Sequence, residues 1–181
     1  MILFENIRLK IAHNKLNKRL KKSFRNKKVY NLNTAETAGI IISTDNEADW
    51  LENKPFLDFL KDKKIKITVL IYLKNKGLIS YYSQLEKINY FSSEQLSFFF
   101  IPKADYINKF CKKDFDLLID LSLNHYYPTI YVTALSKAKF KVGLKNECHQ
   151  HFDLMIDLGN LKSREVYFEQ LKHYLSLLNQ N

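Results

Sequence analysis

Glycine, proline and cysteine are all scarce in this chain. Four glycines and three prolines among 181 residues exclude a loop-rich or repetitive β architecture. The glycines stand singly, at Gly39, Gly77, Gly143 and Gly159. GxGxxG, GxxxxGK[ST] and GxSxG are therefore absent, and with them the loops that cradle phosphates. Gly143 and Gly159 are expected to make turns after strands. Two cysteines, Cys111 and Cys148, are too few for a disulfide framework and point to a reducing, cytoplasmic setting. No run approaches the roughly 20 apolar residues of a membrane helix. The opening MILF meets Glu5 at once, which is not the pattern of a secretory signal.

The most informative absence is of acid. Between Arg8 and Lys28 there is no Asp or Glu, while Arg8, Lys10, Lys15, Lys18, Arg19, Lys21, Lys22, Arg25, Lys27 and Lys28 supply ten cations. Removing those ten from 29 basic residues leaves 19, matched by 19 acidic ones. The formal charge of +10 therefore resides in this arm, an electrostatic handle for polyanions. Leu9, Ala12, Leu16, Leu20 and Phe24 recur at three- and four-residue spacing. That spacing predicts an amphipathic helix over 5–27 within a basic arm, 1–30.

The rest, 36–181, alternates strand and helix patterns. Strands are expected at 38–43, 65–73, 88–91, 115–121, 139–143 and 152–158. Helices are expected at 46–62, 80–86, 103–112, 126–137 and 162–178. FFFI, 98–101, reads as a further strand or a packing loop. Asp45 is expected to cap the helix at 46–62, with Trp50, Leu51, Phe56, Leu57 and Leu60 inward. Pro55 predicts a kink or a later start. Pro128 suits a first helical turn. The last helix should bury Val166, Phe168, Leu171, Tyr174, Leu175 and Leu178. The fold class is α/β: a single Rossmann-like domain with a mostly parallel sheet, preceded by a basic helix.

One heptapeptide occurs almost twice, FDLLIDL at 115–121 and FDLMIDL at 152–158. Asp116 and Asp120 share one strand face, as do Asp153 and Asp157. Chemistry in open α/β sheets lies at the carboxyl ends of strands. That favours Asp120, with Ser122 and Asn124, as pocket residues, and Asp157 less so. The structural alternative is that such aspartates bind loop N–H groups.

The stretch FDLLIDLSLNHYYPTIYVTALSKAKFKVG, 115–143, resembles the amino-terminal half-domain of heptosyltransferase-like GT-B glycosyltransferases. Asp116, Asp120, Leu121, Leu135, Ser136, Ala138, Val142 and Gly143 carry the likeness. The first strand leads into STDNEAD, without that family's Gly-Asp loop, so the resemblance implies the fold and not the activity. The whole chain, from the basic helix to Phe168, Gln170, His173 and Tyr174, is similar to a family of small bacterial proteins of unknown function, of Bacteroidetes type.

Cys148, His149 and His151 in ECHQH are residue types that suit zinc, but the spacing lacks a second pair. No metal and no cofactor is expected. Tyr81, Tyr82, Tyr90, Phe91 and Phe98–Phe100 could stack bases or meet a partner, though most fit a core. The reading that follows is a non-enzymatic nucleic-acid-associated protein, bound to RNA or the ribosome. Its contacts would be Lys15, Lys18, Arg19, Lys21, Lys22, Arg25, Lys27 and Lys28. The alternatives are a degenerate GT-B-like half acting as a sugar-nucleotide binder or enzyme at Asp120, Ser122 and Asn124; a scaffold for a protein partner; or a protein of anionic membrane surfaces.

Overall fold

Every residue of AGIIIS and of LLID is buried. Strands with two buried faces need cover on both sides, which parallel strands with helical crossovers provide. The computed structural model describes residues 2–86, 88–146, 151–159 and 163–178 and has that arrangement. Its strands are β1 (Thr37–Thr44), β2 (Lys66–Leu73), β3 (Ile88–Phe91), β4 (Leu117–Asp120), β5 (Phe140–Leu144) and β6 (Leu154–Ile156). They form one sheet in the order β3-β2-β1-β4-β5-β6, and every pairing is parallel.

The helices are α1 (Ile2–Leu20), α2 (Ala48–Asp62), α3 (Ile79–Tyr82), α4 (Asp105–Lys112), α5 (Tyr127–Leu135) and α6 (Arg164–Leu177). Alternate strand residues divide between two cores. Ile40, Ile42, Ile71 and Ile119 pack with Phe56, Leu57 and Leu60 of α2 and Phe168, Leu171 and Leu175 of α6. Ile41, Leu70 and Leu118 pack with Ala12 and Leu16 of α1, Ile107 and Phe110 of α4, and Tyr131 and Val132 of α5. The expected Rossmann-like α/β fold is present, with an amino-terminal helix laid against one face.

Several local expectations need correction. The first helix ends at Leu20 rather than 27, and the chain turns at Lys21–Lys22. Phe24 is 83% exposed instead of continuing the apolar stripe, because Arg25 beside it is drawn to Asp153. Asn46, not Asp45, accepts the Asp49 N–H at the start of α2, at 2.9 Å. Pro55 lies inside that helix. Leu51 and Tyr174 face solvent, while Tyr167 is fully buried. The segment 98–101 is a loop, flanked by a bridge from Leu96 to Pro102.

Gly143 also departs from expectation. It sits within β5, and a Cβ there would come within 2.2 Å of the Phe152 ring. Its smallness is needed for close approach and not for a turn. Gly159, at φ +54°, does make the expected turn. Replacing Gly143 by Ala forces the ring or the strand to move, so the urea midpoint should fall by the equivalent of about 1–3 kcal/mol.

Candidate functional site

The two heptapeptides have the same local job. At the start of the first, Asp116 Oδ2 accepts the N–H groups of Glu36 and Thr37 at 3.0 and 3.1 Å and the Thr37 hydroxyl at 3.1 Å. Lys139 approaches its other oxygen at 3.0 Å. Asp153, at the start of the second, accepts the Lys141 N–H at 2.9 Å and a two-pronged contact from Arg25 at 2.6 and 2.5 Å. Each carboxylate thus ties its own strand to the first residues of the neighbouring one. Burial raises both acids, but the Lys139 or Arg25 contact and the backbone N–H groups outweigh it and hold both pKa values below the usual range.

The second aspartates repeat one another too. Asp120 Oδ1 accepts Ser122 N–H and Asp157 Oδ1 accepts Gly159 N–H, each at 2.9 Å. These are turn-closing bonds two residues on. Asp157 is exposed and paired with Lys145 at 2.6 Å. Asp120 is buried, which pushes its pKa up, with His125 acting in the opposite direction.

The strand order reverses between β1 and β4, where open α/β sheets bind ligands at the carboxyl edge. Asp120, Ser122 and Asn124 do lie there. Asp120 and Ser122 are 2% and 0% exposed, so they close the edge. Ser122 Oγ accepts Ser43 N–H at 2.8 Å, and Ser43 Oγ donates to the Asn124 carbonyl at 2.6 Å. The space at this edge opens one step further on. A cavity of about 320 Å³ is lined by Tyr72, Lys74, His125, Tyr126 and Tyr127 and capped by Glu5 and Leu9 of α1.

The expected arm cations divide into two groups. Arg19 bonds the Tyr131 hydroxyl, and Lys15 lies 4.1 Å from the centre of the Phe99 ring. Lys28 stands over Tyr30 at 5.1 Å, and Lys27 is 3.3 Å from Asp153. Lys18, Lys21 and Lys22 are exposed and have no ion-pair partner among the described residues. Lys112 of α4 joins Arg19 and Lys22 around a cavity of about 320 Å³.

A model of one protein family, described as a family of unknown function (DUF6913), matches residues 8–178. The chain belongs to that family. No curated protein matches it. Among solved structures, the E. coli heptosyltransferase WaaC with ADP is similar, with a TM-score of 0.50 and 12% identity. The match covers 79% of this chain and 48% of WaaC, so the chain spans about half the length of that enzyme. The likeness shows a shared fold of half-domain size, as the 115–143 resemblance implies. No described helix of this DUF6913 protein is long and apolar enough to cross a membrane. Cys148 and His149 of ECHQH lie outside the described residues.

One notable residue escapes sequence reasoning. Lys141 is 3% exposed, and its amine donates to the Thr133 and Ala134 carbonyls at 2.6 and 3.0 Å. Its place in KFKVG, a strand pattern, gives no sign of this burial. Desolvation, then Arg25 and Lys27, lower its pKa from 10.5 to about 7, against the pull of Asp153 and Cys111.

Two predictions follow from these environments. Asp116→Asn loses the charge facing Lys139 and should lower stability at pH 7 by about 1–3 kcal/mol. Asp120→Asn, which removes a charge disfavoured by burial and keeps an acceptor for Ser122, should leave the urea midpoint unchanged or raised. The second concerns pH. Between about 7 and 10 the unfolded chain holds the proton that folded Lys141 has lost, so stability rises with pH. Thermal scans from pH 7 to 9 should show a rise of up to ~2 kcal/mol, at about 1.4 kcal/mol per pH unit for one linked proton. Lys141→Met should flatten it.

Proposed function

We propose that this protein binds structured RNA, the ribosome included, without catalysing a reaction, through the solvent face of α1 and the turn after it. One arrangement carries the reading. Ala12 and Leu16 are buried against α5 and its neighbours, which fixes the orientation of the helix, with Lys18 on its exposed side and Lys21 and Lys22 exposed in the turn that follows it. Cations held in that way neutralise backbone phosphates without reading sequence. Lys15, Lys28 and Lys112 would extend the strip, while Arg19, Arg25 and Lys27 mainly brace the fold that carries it.

A second reading has its own support, the cavity at the carboxyl edge lined by Lys74, His125 and Tyr126. It suits a small polar ligand, such as the sugar-nucleotide of a GT-B-like half-domain, and Asp120 would act there by holding the loop that presents His125.

The test is fluorescence anisotropy with a structured RNA between 50 and 300 mM salt. The triple variant Lys18→Glu, Lys21→Glu, Lys22→Glu should bind at least about tenfold more weakly, with a log–log salt slope shallower by about 2. Deleting the arm is the poorer experiment, because it would also uncover the partners of Ala12 and Leu16. Unchanged RNA affinity in the triple variant would sink the reading. Binding to anionic vesicles but not RNA would favour a membrane surface, and saturable sugar-nucleotide binding without RNA binding would favour the carboxyl-edge cavity.

A further inference from the structure

We propose that a cavity beside the first residue pair of β5 is a binding site for a phosphate monoester. It has a volume of about 410 Å³ and is lined by Ser23, Arg25, Lys27, Ser136, Lys141 and His151, with Phe24 at its rim. It is distinct from the α1 strip and does not rest on the RNA reading.

Arg25, Lys27 and Lys141 line this pocket, Lys137 reaches the Ser23 hydroxyl and the Phe24 carbonyl beside it, and Asp153 is the carboxylate among them. That carboxylate is already held by both Arg25 nitrogens and by Lys27 at 3.3 Å. Lys141 is paired instead with two uncharged carbonyls, those of Thr133 and Ala134, at the end of α5. The carboxyl end of a helix stabilises a cation only partly, and burying an amine without a counter-ion is costly. The depressed amine pKa is the symptom of that deficit. With the Lys141 amine protonated the pocket has more positive charge than Asp153 neutralises, and the one or two negative charges of a phosphate would offset that excess. A bound oxyanion could accept from the remaining Lys141 N–H and from Lys27, whose side chain is 72% exposed, as well as from the Ser23 and Ser136 hydroxyls. The volume exceeds that of bare phosphate and leaves room for the esterified residue.

Calorimetric titration of the full chain with inorganic phosphate, at pH 6.5 and with chloride holding ionic strength constant, tests the site. One-to-one binding with a Kd of about 1 mM or below is expected. Lys141→Met, with its fold checked by circular dichroism, should weaken binding by at least about tenfold, and Lys27→Ala by about threefold. If Lys141→Met does not fold, Lys27→Ala decides alone. The Lys18, Lys21, Lys22 triple variant should keep its phosphate affinity within about twofold, which separates this site from the RNA strip. No saturable binding, or binding unaltered by both pocket substitutions, overturns the proposal. An oligonucleotide with a 5′-phosphate that binds more tightly than its 5′-hydroxyl twin, with the gap closing in Lys27→Ala, assigns the phosphate to nucleic-acid ends. Equal binding of the two, with glycerol phosphate binding as phosphate does, assigns it to small metabolites.

Discussion

Carboxylates at strand entrances hold this structure in register. A parallel sheet covered on both faces leaves polar side chains room only at the ends of its strands. There the first N–H groups of each strand still need acceptors. Asp116 supplies them for β1 and Asp153 for β5. Both acids also recruit a cation from a distant stretch of chain, Lys139 in one case and Arg25 in the other. The position of the arm depends on the second of these contacts. Arg25 reaches Asp153, so the chain leaves α1 with a turn and crosses the amino edge of β5 before entering β1.

The sheet was legible because strands buried on both faces are written as unbroken apolar runs, and both FDLhIDL copies are of that kind. The carboxylates were harder to interpret. Spacing shows that Asp116 and Asp120 share a face, but not that one accepts backbone donors and the other closes a turn, because that depends on where neighbouring strands begin. Phe24 departs from its helical pattern for a related reason. It fits the helical period, yet a tertiary contact one residue later ends its helix. The burial of Tyr167 is not legible in sequence, because its phenol needs a buried acceptor, and the Asp120 carbonyl that accepts it at 2.6 Å comes from 47 residues away. Lys141 belongs with these cases. Its cost lies in the neighbours the fold brings to it, and none of them is near it in sequence except the end of α5.

The basic arm contributes to both stability and charge. Its apolar stripe completes one of the two cores, and several of its cations are spent on rings, a phenol and Asp153. Counting charges in the sequence therefore overstates what is available to a ligand. Lys10, Lys18, Lys21 and Lys22 are exposed cations of the arm with no ion-pair partner among the described residues, and the packing of α1 on its neighbours makes the placement of Lys10 and Lys18 a property of the fold.

The packing of α1 on α5 has a temporal side. Arg19 and Tyr131, which meet across that contact, are 112 residues apart. A chain made from its amino terminus presents the helix long before its docking surface exists, and contacts so distant in sequence close slowly. Through that interval the acid-free segment has no fold to lie on, and Arg19 and Arg25 have neither Tyr131 nor Asp153 to contact.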